Sequence, residues 1–180
     1  MSRGFTWEDE IAVAVLVRQD LQVADTVPLW EYDFPRVAAT QEDVRDAERA
    51  LGFALDEQVR EFLLRADGWE SFYQDVDLFG TPEFRGAGHW GIAHDYLDEA
   101  EAAGVLASSG LEKKDVLPIA ACDEQSDLFL MVRPTAQQPG RVLWLAGDLI
   151  DEFPTFEEYF LAMVDYTRYS LKRLTSRNQH

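Results

Sequence analysis

The sequence predicts an α+β fold, a single domain in which an antiparallel sheet packs with N-terminal helices and a C-terminal helix. Three observations carry this. Residues 40–66 hold two short helical stripes around a Leu-Gly corner, residues 116–145 hold three apolar runs of strand length, and residues 155–171 return to helical spacing. At 180 residues and 47% hydrophobic content the chain can bury one core, so a single domain is the default. Residues 1–39 read as a helix and aromatic connector of that same domain, 40–174 as its body, and 175–180 as a short polar tail.

The elements follow in order. The apolar run Ile11–Val17 spans only seven residues and follows Glu8, Asp9 and Glu10, where a secretory signal would carry Lys or Arg. Thr6 with Asp9 instead caps a helix through about Val23. No other segment approaches the length that crosses a bilayer, and a cytoplasmic protein without a membrane partner is the expectation. Residues 24–39, with Pro28 and Pro35 around Trp30, Tyr32 and Phe34, read as an ordered connector.

Thr40 caps a helix over Thr40–Leu51 whose apolar side is Val44, Ala47 and Leu51, and Gly52 supplies the left-handed residue that ends it. Asp56 caps a second helix, Asp56–Ala66, with the stripe Val59, Phe62, Leu63 and Ala66. Asp67-Gly68 breaks it before Trp69. Helices this short need a packing partner.

Val76–Phe79 reads as a strand after the aromatics Trp69, Phe72 and Tyr73. Gly86–Gly91 reads as a loop entering a strand at Trp90–Ile92, and Asp95 with Asp98 as the start of a short helix ended by Gly104. Val116–Ala120, Leu128–Val132 and Val142–Leu145 are the remaining strands, the last two joined through Pro134–Pro139. Thr155 with Glu158 opens the closing helix, Thr155–Leu171, with Phe156, Tyr159, Phe160, Met163 and Val164 inward. Leu51, Phe62, Leu63, Ile119, Leu130, Val142, Phe160 and Val164 are the expected core.

The order helix, Leu-Gly corner, helix, Asp-Gly and Trp resembles the opening of the SUKH superfamily, which includes the Smi/Knr cell-wall regulators of yeast and many bacterial immunity proteins. The runs Val116–Ala121, Leu128–Val132 and Gly140–Trp144 resemble its later strands, and Pro154–Leu161 resembles its last helix. The likeness covers about Thr40 to Val164. Asp56 stands where many members have Pro, Val59 where many have Tyr, and Asp67 where many have Asn; the loop 123–127 lacks the usual glycines. The resemblance implies a SUKH-like domain over 40–174 and a non-catalytic binding protein, of the immunity type that neutralises a toxin by direct binding. Many such toxins are nucleases. A Smi/Knr-like regulatory scaffold is the other reading within the binding class.

Charge bears on the partner. Thirty-four acidic residues against sixteen basic give a net charge of −18, and the last thirteen residues hold four bases and no acid. Phosphate contacts need a cationic surface, so direct nucleic-acid binding by the body is disfavoured, whereas a basic protein partner would be steered in. The acidity serves either that partner or solubility. The basic end complements the dipole of the final helix.

Catalytic motifs are absent from the sequence. His89 and His94 sit in a Gly-rich stretch with no further His or Cys nearby, so no metal is expected. Asp123-Gln125-Asp127 has calcium-loop spacing, but Leu128 stands where Gly is needed and no bidentate Glu follows. Neither a phosphate loop nor a Gly-x-Ser-x-Gly elbow occurs. Cys122, the single cysteine, reads as a buried inert thiol. A hydrolase using a carboxylate pair is the alternative from another class; the expectation is no enzyme, no cofactor and no metal. The expected partner face is acidic with exposed aromatics, on the sheet side away from the closing helix. It comprises Trp69, Tyr73, Asp75, Asp77, Trp90, Asp95, Asp123, Glu124 and Asp127.

Overall fold

Local signals start the helices. In the computed structural model, which describes residues 4–177 apart from Glu124 and Gln125, helix α1 (Trp7–Ala24) begins where Thr6 Oγ1 accepts from the Asp9 N–H at 3.3 Å. Helix α2 (Gln41–Leu51) begins with a reciprocal Thr40–Asp43 box and ends at Gly52, φ +80°. Asp56 accepts from the Gln58 N–H to open α3 (Glu57–Leu63), a turn shorter than the sequence suggests.

Six strands follow: β1 (Trp69–Tyr73), β2 (Val76–Leu78), β3 (Val116–Ala121), β4 (Leu128–Val132), β5 (Val142–Ala146) and β6 (Asp148–Phe153). They form one antiparallel sheet in sequence order. Between β2 and β3 the chain inserts α4 (Thr81–Phe84) and α5 (Trp90–Ala102), and it closes with α6 (Phe156–Arg177). The β3 and β4 strands are buried along their whole lengths. Such strands must be covered on both faces. On one face Phe129 meets Tyr159 of α6, and α1 and α3 pack over α6. Alternation turns Leu128, Leu130 and Val132 to the other face, where α5 lies against β3 and β4. Tyr96 of α5 reaches across to accept the Gly147 N–H at the β5–β6 turn, at 2.6 Å.

Trp7, Phe62, Phe72, Phe156 and Phe160 form a continuous ring cluster with centroid separations of 4.9–5.8 Å. All the expected core residues are buried except Leu51, which is half-buried. The expected strand at Trp90–Ile92 is instead the first turn of α5. Trp90, Ala93, Leu97 and Ala100 continue one 3–4–3 stripe, so helical period overrides the β-propensity of Trp and Ile. The helix therefore starts five residues before Asp95. Pro118 sits inside β3, and the register shift between Pro118 and Ala120 accommodates it.

The connector is fixed at several points. Asp25 accepts from Leu29 N and Tyr32 Oη, Trp69 Nε1 donates to Asp33 O at 2.8 Å, and Arg36 N donates to Gly68 O. Arg36 pairs with Glu83 at 2.5 Å, and Glu83 also accepts from Gly80 N. Asp67 accepts from both the backbone and hydroxyl of Thr81. A Cβ on Gly80 would stand 2.2 Å from Asp67 O.

Phe62→Ala should destabilise the fold by about 3–5 kcal/mol, measured as a lower urea midpoint at unchanged slope. Gly80→Ala should cost about 1–3 kcal/mol by forcing the Asp67 corner away from α4, whereas Gly91→Ala, with open space at its Cβ in the first turn of α5, should not produce that steric loss. Equal urea midpoints for wild type and Gly80→Ala would contradict the close packing of this corner.

Candidate functional site

Three backbone devices gather carboxylates at one end of the sheet. The β1–β2 hairpin turns at Gln74 (φ +53°) and Asp75, which leaves Asp75 at its tip and Glu70 and Asp77 on its strands. The bond from Trp69 Nε1 to Asp33 O lays the connector beside β1, bringing Glu31 and Asp33. The turn after β3 adds Asp123. Together with His89 these line a cleft of about 420 Å³, whose floor includes Ser71 and Cys122.

His89 stands inside this acidic ring. Its Nδ1 lies 2.9 Å from Asp77 Oδ2, and its Nε2 meets Asp123 Oδ1. Asp77 Oδ1 accepts from the Ser71 N–H at 2.8 Å. Burial pushes the Asp77 carboxyl above its ordinary value; the Ser71 bond and His89 pull it down, while Glu70 and Glu83 push it up. Arg18 lies buried nearby, donates to Glu31 O at 2.6 Å, and feels the charges of Asp33 and Asp75. The cleft is thus a concentration of negative charge with little cationic compensation, a surface suited to receiving a cationic group.

The expected partner residues separate into groups. Asp75, Asp77 and Asp123 converge on the cleft. Asp127 sits in the adjacent turn, where it accepts from Trp144 Nε1 at 2.6 Å. Glu124 lies outside the described residues. Trp69 is fully buried, and Tyr73 is buried against Trp144 and Tyr166 of α6, so these two belong to the core and not to an exposed aromatic face. Burial, with Asp127 and Tyr166 nearby, raises the Tyr73 phenol to about 12. Trp90 is half-buried beside Phe84 and His94, in a different groove, and Asp95 is exposed on α5.

Sequence reasoning missed Glu31, Asp33, Glu70 and the cleft role of His89. Only the connector–hairpin contact brings the first two to the rest. His89 and His94 face different cavities, so the metal pair drawn from their spacing is not assembled. Among the described residues no group of three or more His, Cys, Asp or Glu side chains is placed to hold a metal ion. Cys122 is buried, with Sγ 3.1 Å from Ser126 Oγ. No described helix is long and apolar enough to cross a membrane.

Because its folded pKa is raised, Asp77 takes up a proton on folding between its ordinary 3.8 and that higher value. Its contribution to stability is therefore lost as pH rises through this window. Asp77→Asn should melt above wild type at pH 7, and the gap should shrink as pH falls toward 4. Thermal melts across that range check it; a pH-independent gap would assign the effect to packing instead.

A search of curated proteins finds no match. The family model described as SMI1 / KNR4 family (SUKH-1) matches residues 38–162, which run from the end of the connector through the sheet into α6. The chain belongs to the SMI1 / KNR4 (SUKH-1) family.

Proposed function

We propose that this protein is a non-catalytic binding protein of the immunity type, which neutralises a basic toxin domain, of nuclease kind, by direct contact in the cytoplasm. Family membership supports a binding role, and the observation that carries the reading is the acidic cleft around His89. A nuclease active site is cationic because it holds phosphates. A ring of carboxylates gathered from the connector, the β1–β2 hairpin and the turn after β3 can occupy such a site, competing with substrate without any chemistry of its own. Asp75 and Asp123 are its outer acids, while Asp77 and His89 form its base.

The test measures association with a basic nuclease toxin domain, sought first among the products of neighbouring genes. Association should slow by about tenfold or more between low and high salt, as screening removes long-range steering. Asp75→Lys with Asp123→Lys should weaken binding at least about tenfold while the protein stays folded, since both side chains are exposed, with only a small loss of melting temperature from the Asp123–His89 contact. Asp127 is a poorer choice for reversal, because it also holds Trp144. An association rate indifferent to both salt and the double reversal defeats the electrostatic reading.

A further inference from the structure

A second cavity carries the opposite character. A groove of about 690 Å³ opens between the end of α2, the first turns of α5 and strand β3. Its floor is apolar and includes Leu51, Phe53, Phe84 and Trp90, and three of these, Leu51, Phe53 and Trp90, remain only half-buried. Leu51 is the residue that the helical stripe of α2 places in the core and that the fold leaves facing this groove.

Around the floor stand Arg85, Lys113, Lys114 and Arg133, with Glu101 and Glu112 as the only acids. Glu112 is taken by Lys114 at 2.7 Å, and Glu101 accepts from the Lys113 backbone N–H. Lys113 itself pairs with Asp98 on α5. Among the described residues neither Arg85 nor Arg133 has a carboxylate within ion-pair distance, although acids outnumber bases about two to one in the chain. Arg133 stacks over the Phe53 ring at 3.7 Å, and its Nε is buried without a hydrogen-bond partner. His94 Nε2 is likewise buried and unpartnered, and burial together with the Lys113 charge lowers its pKa against the opposing pull of Asp98 and Asp95.

We infer that this groove is a second docking surface, for a peptide segment of a protein partner that bears an aromatic or aliphatic anchor flanked by carboxylates. The anchor seats on Leu51 and Trp90, where apolar area is left open to water beside the Phe53 ring that Arg133 covers. The carboxylates meet Arg85 and Arg133 directly and Lys114 by displacing Glu112, three cations that enter from separate segments of the chain. Flanking residues of an extended peptide reach all three, whereas one carboxylate on a small molecule does not. The groove lies apart from the acidic cleft and does not depend on the toxin-binding reading.

The test is fluorescence anisotropy on the full chain with a labelled twelve-residue peptide carrying a central Trp-Leu between runs of Asp and Glu. Two companions share its length, one with Ser-Ser at the centre and one with Gln and Ser flanks. Saturable one-to-one binding is expected for the first, weakened at least about tenfold in either companion and in Arg85→Glu with Lys114→Glu. Asp75→Lys with Asp123→Lys should not weaken it. The indole N–H resonance of Trp90, identified by its loss in Trp90→Phe, should shift on binding, a readout that does not depend on the charge variants folding. No saturable binding of the acidic peptide overturns the inference, as does equal binding of either companion. Binding of oligouridylate or of indole-3-acetate in the absence of peptide binding overturns it in favour of those ligand classes.

Discussion

Burial of β3 and β4 on both faces is the constraint from which the architecture follows. Six positions in β3 and five in β4 without an exposed side chain leave no solvent face at the centre of the sheet. One helical layer cannot satisfy them. The closing helix α6 covers one face and must itself be covered, which is the task of α1 and α3. The insertion between β2 and β3 supplies α5 for the other. Apolar burial at about 25 cal/mol per Å² drives both layers, and it removes the sheet faces as places for recognition. Binding surfaces are left to the sheet ends and helix termini, where both cavities lie.

A polar corner holds the pieces in register. Arg36, Glu83, Gly80, Asp67 and Thr81 tie the connector, the turn before β1 and the start of α4 into one knot. The buried Glu83 and half-buried Asp67 carboxylates there are satisfied by backbone N–H groups, the Thr81 hydroxyl and the Arg36 guanidinium, which is the condition under which burial of charge is tolerated. The acidic cleft is the contrast. Its carboxylates crowd one another, and Asp77 titrates above its ordinary range because burial removes water without supplying a full counter-charge. That difference separates acids that build the fold from acids left for a partner.

Local chemistry was legible and tertiary chemistry was not. Caps at Thr6, Thr40 and Asp56, and the left-handed Gly52, are decided within four residues, so the sequence reveals them. Strand β6 escaped because its edge position leaves Asp148, Asp151 and Glu152 in place of an apolar run; those acids also discourage edge pairing. Strand β1 escaped because Ser71 adopts φ +48° and breaks the alternation. The aromatic expectation failed for the converse reason. Trp69 and Tyr73 sit beside acids in the sequence, but the pleat and the Asp33 bond turn them into the core. Asp75, Asp77 and Asp123 could be named from loop position, whereas Glu31 and Asp33 reach the cleft only through a contact across 36 residues.

The first turn of α5 explains how one acidic chain presents two surfaces of opposite sign. His89 and Trp90 are neighbours in sequence, yet the first lines the carboxylate cleft and the second the cationic groove. Consecutive residues entering a helix diverge by about 100°, enough to serve cavities on either side of the helix start. The Trp90 side also gains Lys113 and Lys114, because the short turn before β3 folds back against α5 through Asp98 and Glu101. Cations in a chain with this acid excess would ordinarily be neutralised wherever they fall. Here no described carboxylate comes within ion-pair distance of Arg85 or Arg133, although Asp43 lies within electrostatic reach of Arg85, so much of their charge remains available at the surface. Segregation of charge by a hydrophobic floor, more than the net charge itself, sets what each side of the α5 start can bind.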